Sequence, residues 1–256
     1  LQPTATLVPA LSEAEAEGLA IDLLRDNGGC RLPCFWGFVP QQTSQETLDS
    51  FFHAFYNIGG QSIYIPRNNS TIEIFTTWNY NEDPHAVVQW IKVFMSSQRE
   101  IKLPDGTVYQ EIFDNPFFTH YIHYYTLPSL LSNYGVPSKA YIGIDPGAEM
   151  GFENILHLFL AYSESGWGVQ FRMRFKQEHG FYKGCPAQAF TSLFLWSPEN
   201  VSAATENQAW IDEFGIYFKS IEEATSLSLL EFYQRFKDSS YTPCLETPVD
   251  IWFSSK

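Results

Sequence analysis

Two cysteines sit four residues apart in the stretch NGGCRLPCFWGFVP, residues 27–40. Thiolates can hold a metal, exchange electrons or close a disulfide, and spacing selects among these. A zinc knuckle needs C-x-x-C pairs or accompanying histidines. Cys30 and Cys34 are instead spaced C-x-x-x-C, and the other two cysteines, Cys185 and Cys244, stand alone. The C-x-x-x-C-x-x-C pattern of radical iron–sulfur enzymes fails because Gly37 holds its third position, and a thioredoxin-like C-x-x-C is absent. An even number of cysteines without metal or redox spacing fits two disulfides made in an oxidising compartment. Four cysteines leave three pairings open. The expected one closes Cys30–Cys34 locally and Cys185–Cys244 over a long range, which would tie the C-terminal tail to the body.

Other reactive residue types are present without a supporting pattern. His120 and His123, in THYIHYY, would point to opposite faces of the strand that their β-favouring neighbours predict. His53, His85, His157 and His179 have no companion at ligand spacing. Asn79-Tyr-Asn81-Glu-Asp83 begins like a calcium loop, but Pro84 holds the sixth position, where an EF-hand has Gly, and Trp90 the twelfth, where it has Glu. No G-x-S-x-G elbow, H-E-x-x-H helix, phosphate loop or dinucleotide fingerprint occurs. No catalytic residue, metal or cofactor is expected on these grounds. Aromatic side chains are the remaining chemistry: Trp78, Tyr80, Trp90 and Trp167 are the candidate platforms for a sugar or a peptide. Most tryptophans are nonetheless expected to fill a core. Three glycosylation sequons start at Asn68, Asn69 and Asn200.

The elements that must position these residues alternate in period. Ser12-Glu-Ala-Glu15 is a capping box, and Ala16, Leu19, Ala20, Leu23 and Leu24 follow at helical spacing until Gly28-Gly29. Thr43-Ser-Gln-Glu46 predicts a second helix with the stripe Leu48, Phe51, Phe52 and Phe55. The period then falls to two around Ile72–Thr76 and Val87–Phe94, and Leu103-Pro-Asp-Gly106 is a hairpin signal. The order recurs downstream. A short helix spans 125–135, with Pro128 near its start and Gly135 past its end. Strands are predicted at 139–144, 154–163, 167–176, 189–196 and 214–219. Ser228-Leu-Leu-Glu231 opens a last helix, and the tail YTPCLETPVDIWF is expected as an extended segment over the body. This predicts an α+β fold of antiparallel sheets with short helices on one face. It divides into a disordered stalk at 1–11, a helix-plus-four-strand unit at 12–118 and a second such unit with the tail at 119–256.

Composition sets the compartment and excludes partners. Charged residues make up 17% and aromatic residues 17% of the 256 positions, a balance common in strand-rich extracellular proteins. The formal net charge of −14 repels phosphate backbones, which excludes nucleic acid. No run of eighteen apolar residues would span a membrane. The opening LQPTATLVPA carries Pro and Thr and no charge, as expected of a stalk downstream of a signal or lipid anchor in an envelope protein.

GGCRLPCFWG followed by a capped helix resembles a group of bacterial envelope and lipoprotein-like proteins that read G-G-C-x-L-P-C-W-W-G, then P-G-x-T and a helix. Phe35 stands where the first Trp would be, and Val39-Pro-Gln-Gln-Thr43 lacks the Gly. That resemblance covers residues 12–56 and brings no activity with it. Leu131-Ser-Asn-Tyr-Gly-Val-Pro137-Ser-Lys-Ala-Tyr141 is similar to the turn-then-strand signature of helix-plus-sheet modules of the BamE and β-lactamase-inhibitor-protein type. It implies protein binding through an open sheet face, without catalysis.

The expectation is therefore an exported or surface-anchored, non-enzymatic bacterial protein that binds a protein or an envelope component. The alternative is a secreted carbohydrate-binding or carbohydrate-processing protein, for which stacked tryptophans beside two facing carboxylates would speak. A metal-dependent enzyme using the histidines is a third reading.

Overall fold

A computed structural model describes residues 11–55, 62–67, 70–78, 82–102, 108–112, 121–145, 154–197, 218–238 and 243–252. Residues 1–10 of the stalk expected at 1–11, Tyr80, His120, the sequon asparagines Asn68, Asn69 and Asn200, and the turn expected at Leu103–Gly106 lie outside these residues. The helices are α1 (Glu13–Asp26), α2 (Gln45–Ala54), α3 (Leu127–Tyr134), α4 (Ile221–Thr225) and α5 (Leu229–Phe236). The strands are β1 (Ser62–Arg67), β2 (Ser70–Trp78), β3 (Trp90–Lys102), β4 (Val108–Ile112), β5 (Lys139–Asp145), β6 (Ile155–Tyr162), β7 (Trp167–Glu178), β8 (Phe181–Gly184), β9 (Phe190–Trp196), β10 (Phe218–Ser220) and β11 (Leu245–Pro248). The fold is α+β, and every strand pairing is antiparallel.

Local signals explain the helix ends. Ser12 and Glu15 cap α1 reciprocally, as do Ser228 and Glu231 for α5. A further box, Ser220 with Glu223, opens α4 and is equally visible as S-x-x-E in the chain. The α2 cap sits one residue later than its spacing suggests. The Thr43 hydroxyl accepts from Val39 N–H at 2.9 Å, so Ser44 becomes the cap and accepts from Thr47 N–H at 3.3 Å. Residues 123–125, expected in a strand, form a 3-10 turn that buries Ile122 and Tyr125 and leaves His123 exposed.

The strand order is β1-β2-β3-β9-β7-β6-β5-β10, with β4 on β3, β8 on β7 and β11 on β8. The sheet runs without a break across position 118. β3, from the first half, pairs with β9, from the second, over Trp90↔Trp196 to Met95↔Thr191. Among the described residues the second half supplies seven strands, five of them near the segments expected, with β8 and β11 added. This pairing spans a hundred residues of chain and has no local sequence signature.

Antiparallel register sorts side chains onto two faces. One face carries Ile72, Ile74, Ile91, Val93, Leu193, Leu195, Val169, Phe171, Leu158, Leu160 and Ile142. Against it pack Leu24 of α1, Phe52 of α2, Leu131 of α3, Ile221 of α4 and Phe232 of α5, all in one buried cluster. The helices therefore share one face, as predicted.

The cystine segment joins this core through Asn27, the left-handed residue (φ 59°) that ends α1. Its side chain is fully buried. Nδ2 donates to the carbonyls of Cys30 at 2.8 Å and Cys34 at 2.7 Å. Oδ1 accepts from the Tyr125 hydroxyl at 2.7 Å and from Trp36 N–H at 3.3 Å, and Trp36 Nε1–H donates to the same Tyr125 oxygen at 3.1 Å. Both expected disulfides are present, Cys30–Cys34 and Cys185–Cys244, the second joining the tail, with its strand β11, to the end of β8.

Two stability predictions follow from these links. Replacing both Cys185 and Cys244 with Ser should lower unfolding stability by about 4 kcal/mol, against about 2 kcal/mol for the Cys30/Cys34 pair, because the first closes the longer loop. Matched denaturant titrations measure both. Asn27→Ala strips partners from two buried and two part-buried groups and should cost about 3 kcal/mol, whereas Tyr125→Phe should cost about 1–2 kcal/mol. Equal losses for the two would show that Asn27 is not the centre of the network.

Candidate functional site

The face opposite the helices has a different chemistry. Its register brings Tyr141, Phe159, Gln170, Ser192, Phe94 and Phe75 into one row, each directly across from the next on strands β5, β6, β7, β9, β3 and β2. Two aromatic rings flank a polar pair at each end. Adjacent strands lie about 4.8 Å apart, so the row crosses roughly 24 Å of sheet. Its outer members Tyr141, Phe94 and Phe75 are half-exposed, while Phe159, Gln170 and Ser192 are buried.

The rings make a second, smaller apolar cluster separate from the core. Phe159, Ala161 and Phe194 are its buried centre, with Phe94, Tyr141, Trp196 and Phe218 packed around them. Phe94 meets Phe194 edge-on at 6.2 Å, Phe75 lies 5.8 Å from Phe94, and Tyr141 stacks with Phe159 at 6.4 Å. Gly168 makes room for this arrangement. A Cβ there would lie 2.8 Å from the Phe159 ring and 3.1 Å from the Leu160 carbonyl, so the ring rests on bare backbone. Beyond the cluster, the Lys92 ammonium lies 5.5 Å from the Trp90 ring and 5.8 Å from that of Phe194, within cation–π range.

Polar side chains lie among these rings. His157, on the neighbouring row of β6, is buried beside Gln170, and the Gln170 amide nitrogen donates to His157 Nδ1 at 3.1 Å. An amide nitrogen only donates, so in this amide orientation Nδ1 is the bare nitrogen and the ring proton is on Nε2; with the amide turned over, Nδ1–H would donate to Oε1 instead. Burial lowers the His157 pKa to about 3, helped by the Arg172 charge, which faces it across the β6–β7 pair. Gln170 Oε1 and Ser192 Oγ have no hydrogen-bond partner.

The four aromatic residues singled out by the sequence divide between the faces. Trp90 stands half-exposed on the aromatic face, across from Trp196. Trp78 and Trp167 belong to the helix-covered core. Trp78 stacks on Phe52, and Trp167 stacks on Tyr162 at 4.1 Å and meets Tyr134 edge-on at 4.7 Å. Burial removes both from reach of a partner, because strand parity puts them on the helix side. Tyr80 lies outside the described residues. Four cysteines are committed to disulfides, and among the described residues no three His, Cys, Asp or Glu side chains converge as a metal set. No helix among them is long and apolar enough to cross a membrane.

A pocket of about 130 Å³ lies elsewhere, at Cys244 of the long-range disulfide, lined by Phe181, Leu227, Arg235, Phe236 and Glu246. It falls below the few hundred Å³ usual for a small-molecule site. Glu246, its one carboxylate, is paired with Lys183 at 3.0 Å, so it holds no facing acid pair of the kind that cleaves glycosides.

Gln170, Ser192, Phe94 and Phe159 were not singled out by the sequence. The alternation in WGVQFRMRFK places Gln170 off the core face, where a polar residue ordinarily meets water. The available signal was the unbroken apolar run LFLAY in β6, which marks a strand covered on both sides. No family model, curated protein or solved structure matches the chain.

His157 supplies a pH test of this face. Unfolded, the ring takes its proton near pH 6.5; folded, only near pH 3. The unfolded chain thus binds more protons between those values. Stability is full above pH 6.5 and falls by up to about 1.4 kcal/mol per unit below it. Between pH 7 and 4.5 the wild type should lose about 2–3 kcal/mol more than His157→Gln, since carboxylate titration is common to both. Parallel urea-midpoint curves for the two proteins would refute a buried neutral imidazole.

Proposed function

We propose that the chain is an exported, non-enzymatic binding protein that recognises a protein or another envelope component with the sheet face opposite its helices. The carrying observation is that face's composition. Half-exposed Trp90, Phe94, Tyr141, Trp196 and Phe75 accompany Lys92, Arg172 and Arg174 on the same side of the sheet, and aromatic and arginine side chains are those enriched where proteins bind. Glu73 and Asp145 lie on the same side, so the face pairs its aromatic rings with charges of both signs in a chain that carries −14 overall. Two disulfides favour an oxidising compartment. The resemblance of GGCRLPCFWG to bacterial envelope proteins favours the same location, with surface anchoring through a lipid as the form it would take.

A photo-crosslinking residue placed at position 90 in cells that make the protein tests this reading. Position 90 should yield a discrete adduct, reduced at least several-fold by Lys92→Glu on the same face. A crosslinker at exposed Leu230 of α5 should not yield that adduct. The same product from position 230, or indifference to Lys92→Glu, would overturn the assignment of the face.

A further inference from the structure

Gln170 and Ser192 are completely buried and directly opposite each other on β7 and β9, which places their Cβ atoms about 5 Å apart. Gln170 Oε1 and Ser192 Oγ both lack a partner. Turning the Gln170 amide over would give the His157 contact to Oε1 and orphan Nε2 instead, so one amide atom goes unmet in either orientation. Such atoms are uncommon in folded proteins, and each signals strain, a water or a ligand. Thr76 and Trp167 also carry one each, but singly and among the apolar side chains of the core. Gln170 and Ser192 are instead directly paired, and aromatic rings extend outward from them on both sides of the row. One residue beyond Phe194 on the same face, Trp196 Nε1 is buried and unpartnered too.

We infer that this row binds a neutral oligosaccharide, an inference that rests on the sheet face being the recognition surface. A sugar hydroxyl donates and accepts at once, so it meets Ser192 Oγ and whichever Gln170 amide atom is left unmet, Oε1 or Nε2. Sugar rings also present flat C–H faces that lie against aromatic side chains, supplied here by Phe75 and Phe94 on one side and Tyr141 and Phe159 on the other. The row spans roughly 24 Å at the strand spacing, room for several linked rings. The polar pair at its centre bears no formal charge, and His157 beside it is neutral. Entry to the buried pair requires a flanking ring to turn aside, a rotamer change of the kind that commonly accompanies binding. No covalent step is involved.

The test uses the full chain and four probes: cellotetraose, maltotetraose, chitotetraose and mannotetraose. Calorimetry should show saturable one-to-one binding of at least one of them. Ser192→Ala should weaken it about tenfold, the worth of one neutral hydrogen bond, while its melting temperature stays level or rises because an unmet hydroxyl has been removed. Phe75→Leu should weaken binding with the polar pair intact. Binding unaffected by Ser192→Ala would place the sugar elsewhere and overturn the inference. A melting temperature lowered by Ser192→Ala, with no sugar bound by the wild type, would make the serine a structural, water-bridged residue. If all four probes fail while the position-90 crosslink persists, the oligosaccharide is wrong and the binding face stands; loss of both removes the face itself.

Discussion

The Asn27 side chain is the joint on which the two halves of the chain meet. It is buried, and its amide is met by the carbonyls of Cys30 and Cys34, the Trp36 N–H and the Tyr125 hydroxyl. A buried amide unmatched on any side would cost about 1–3 kcal/mol, so the cystine loop and Tyr125 are positioned together or not at all. The loop then reaches further. Leu32 N–H donates to the Tyr134 hydroxyl at 2.8 Å, Arg31 donates to the Asn133 carbonyl at 2.7 Å, and the Tyr124 and Tyr134 hydroxyls share a bond of 2.7 Å. Tyr134 in turn packs on Trp167, at the start of β7. One polar side chain at the end of α1 thus fixes α3 and, through it, the centre of the sheet. Trp36 adopts a left-handed backbone (φ 54°), unfavourable for so large a residue. Its two bonds to the Asn27–Tyr125 pair hold it there.

That joint also explains why one sheet serves both halves. With the loop docked on α3, β3 and β9 lie side by side, and an unpaired edge of β3 would leave its backbone groups without partners. Pairing through Trp90–Met95 satisfies them. The shared sheet places β6, β7 and β9 in its interior, where Gln170 and Ser192 lose contact with water. The chemistry of the second face is thus a consequence of the topology, which itself depends on the helix-end network.

Local structure was legible where a local rule governs it. Ser12 and Glu15, Ser228 and Glu231, and Pro128 with Gly135 mark helix ends by chemistry contained within a few residues, and the structure has those ends. The α2 boundary shifted because Thr43 found a competing donor in Val39, which is still local but depends on the turn before it. The number of disulfides was legible, but the sequence left three pairings open, and the structure has the expected one. The aromatic row was not, because it is assembled from six strands whose register no one segment encodes. Trp78 and Trp90 show the limit most clearly. They are alike in type, near in sequence and next to paired positions, yet strand parity sends one into the core and the other to the opposite face. His157 and Gln170 likewise carry no motif; their proximity exists only once β6 and β7 are aligned.

A sequence selected for stability alone would not keep a glutamine and a serine at the centre of this sheet. A threonine or valine pair suits two adjacent β-strands better by propensity, and an apolar pair would remove the unmet oxygens. The rest of the chain is locally consistent: its caps are reciprocal, its core positions alternate with strand period, and its buried amide at Asn27 is fully matched. Departures from such consistency tend to fall where function imposes a cost that folding does not repay. Gly168 belongs to the same argument. An alanine there would favour strand formation, but its methyl would displace the Phe159 ring that lies beside the polar pair. Three neighbouring positions on β7 and β9 therefore share one departure from the folding optimum, and what they preserve together is an aromatic surface with two unmet hydrogen-bonding groups at its centre.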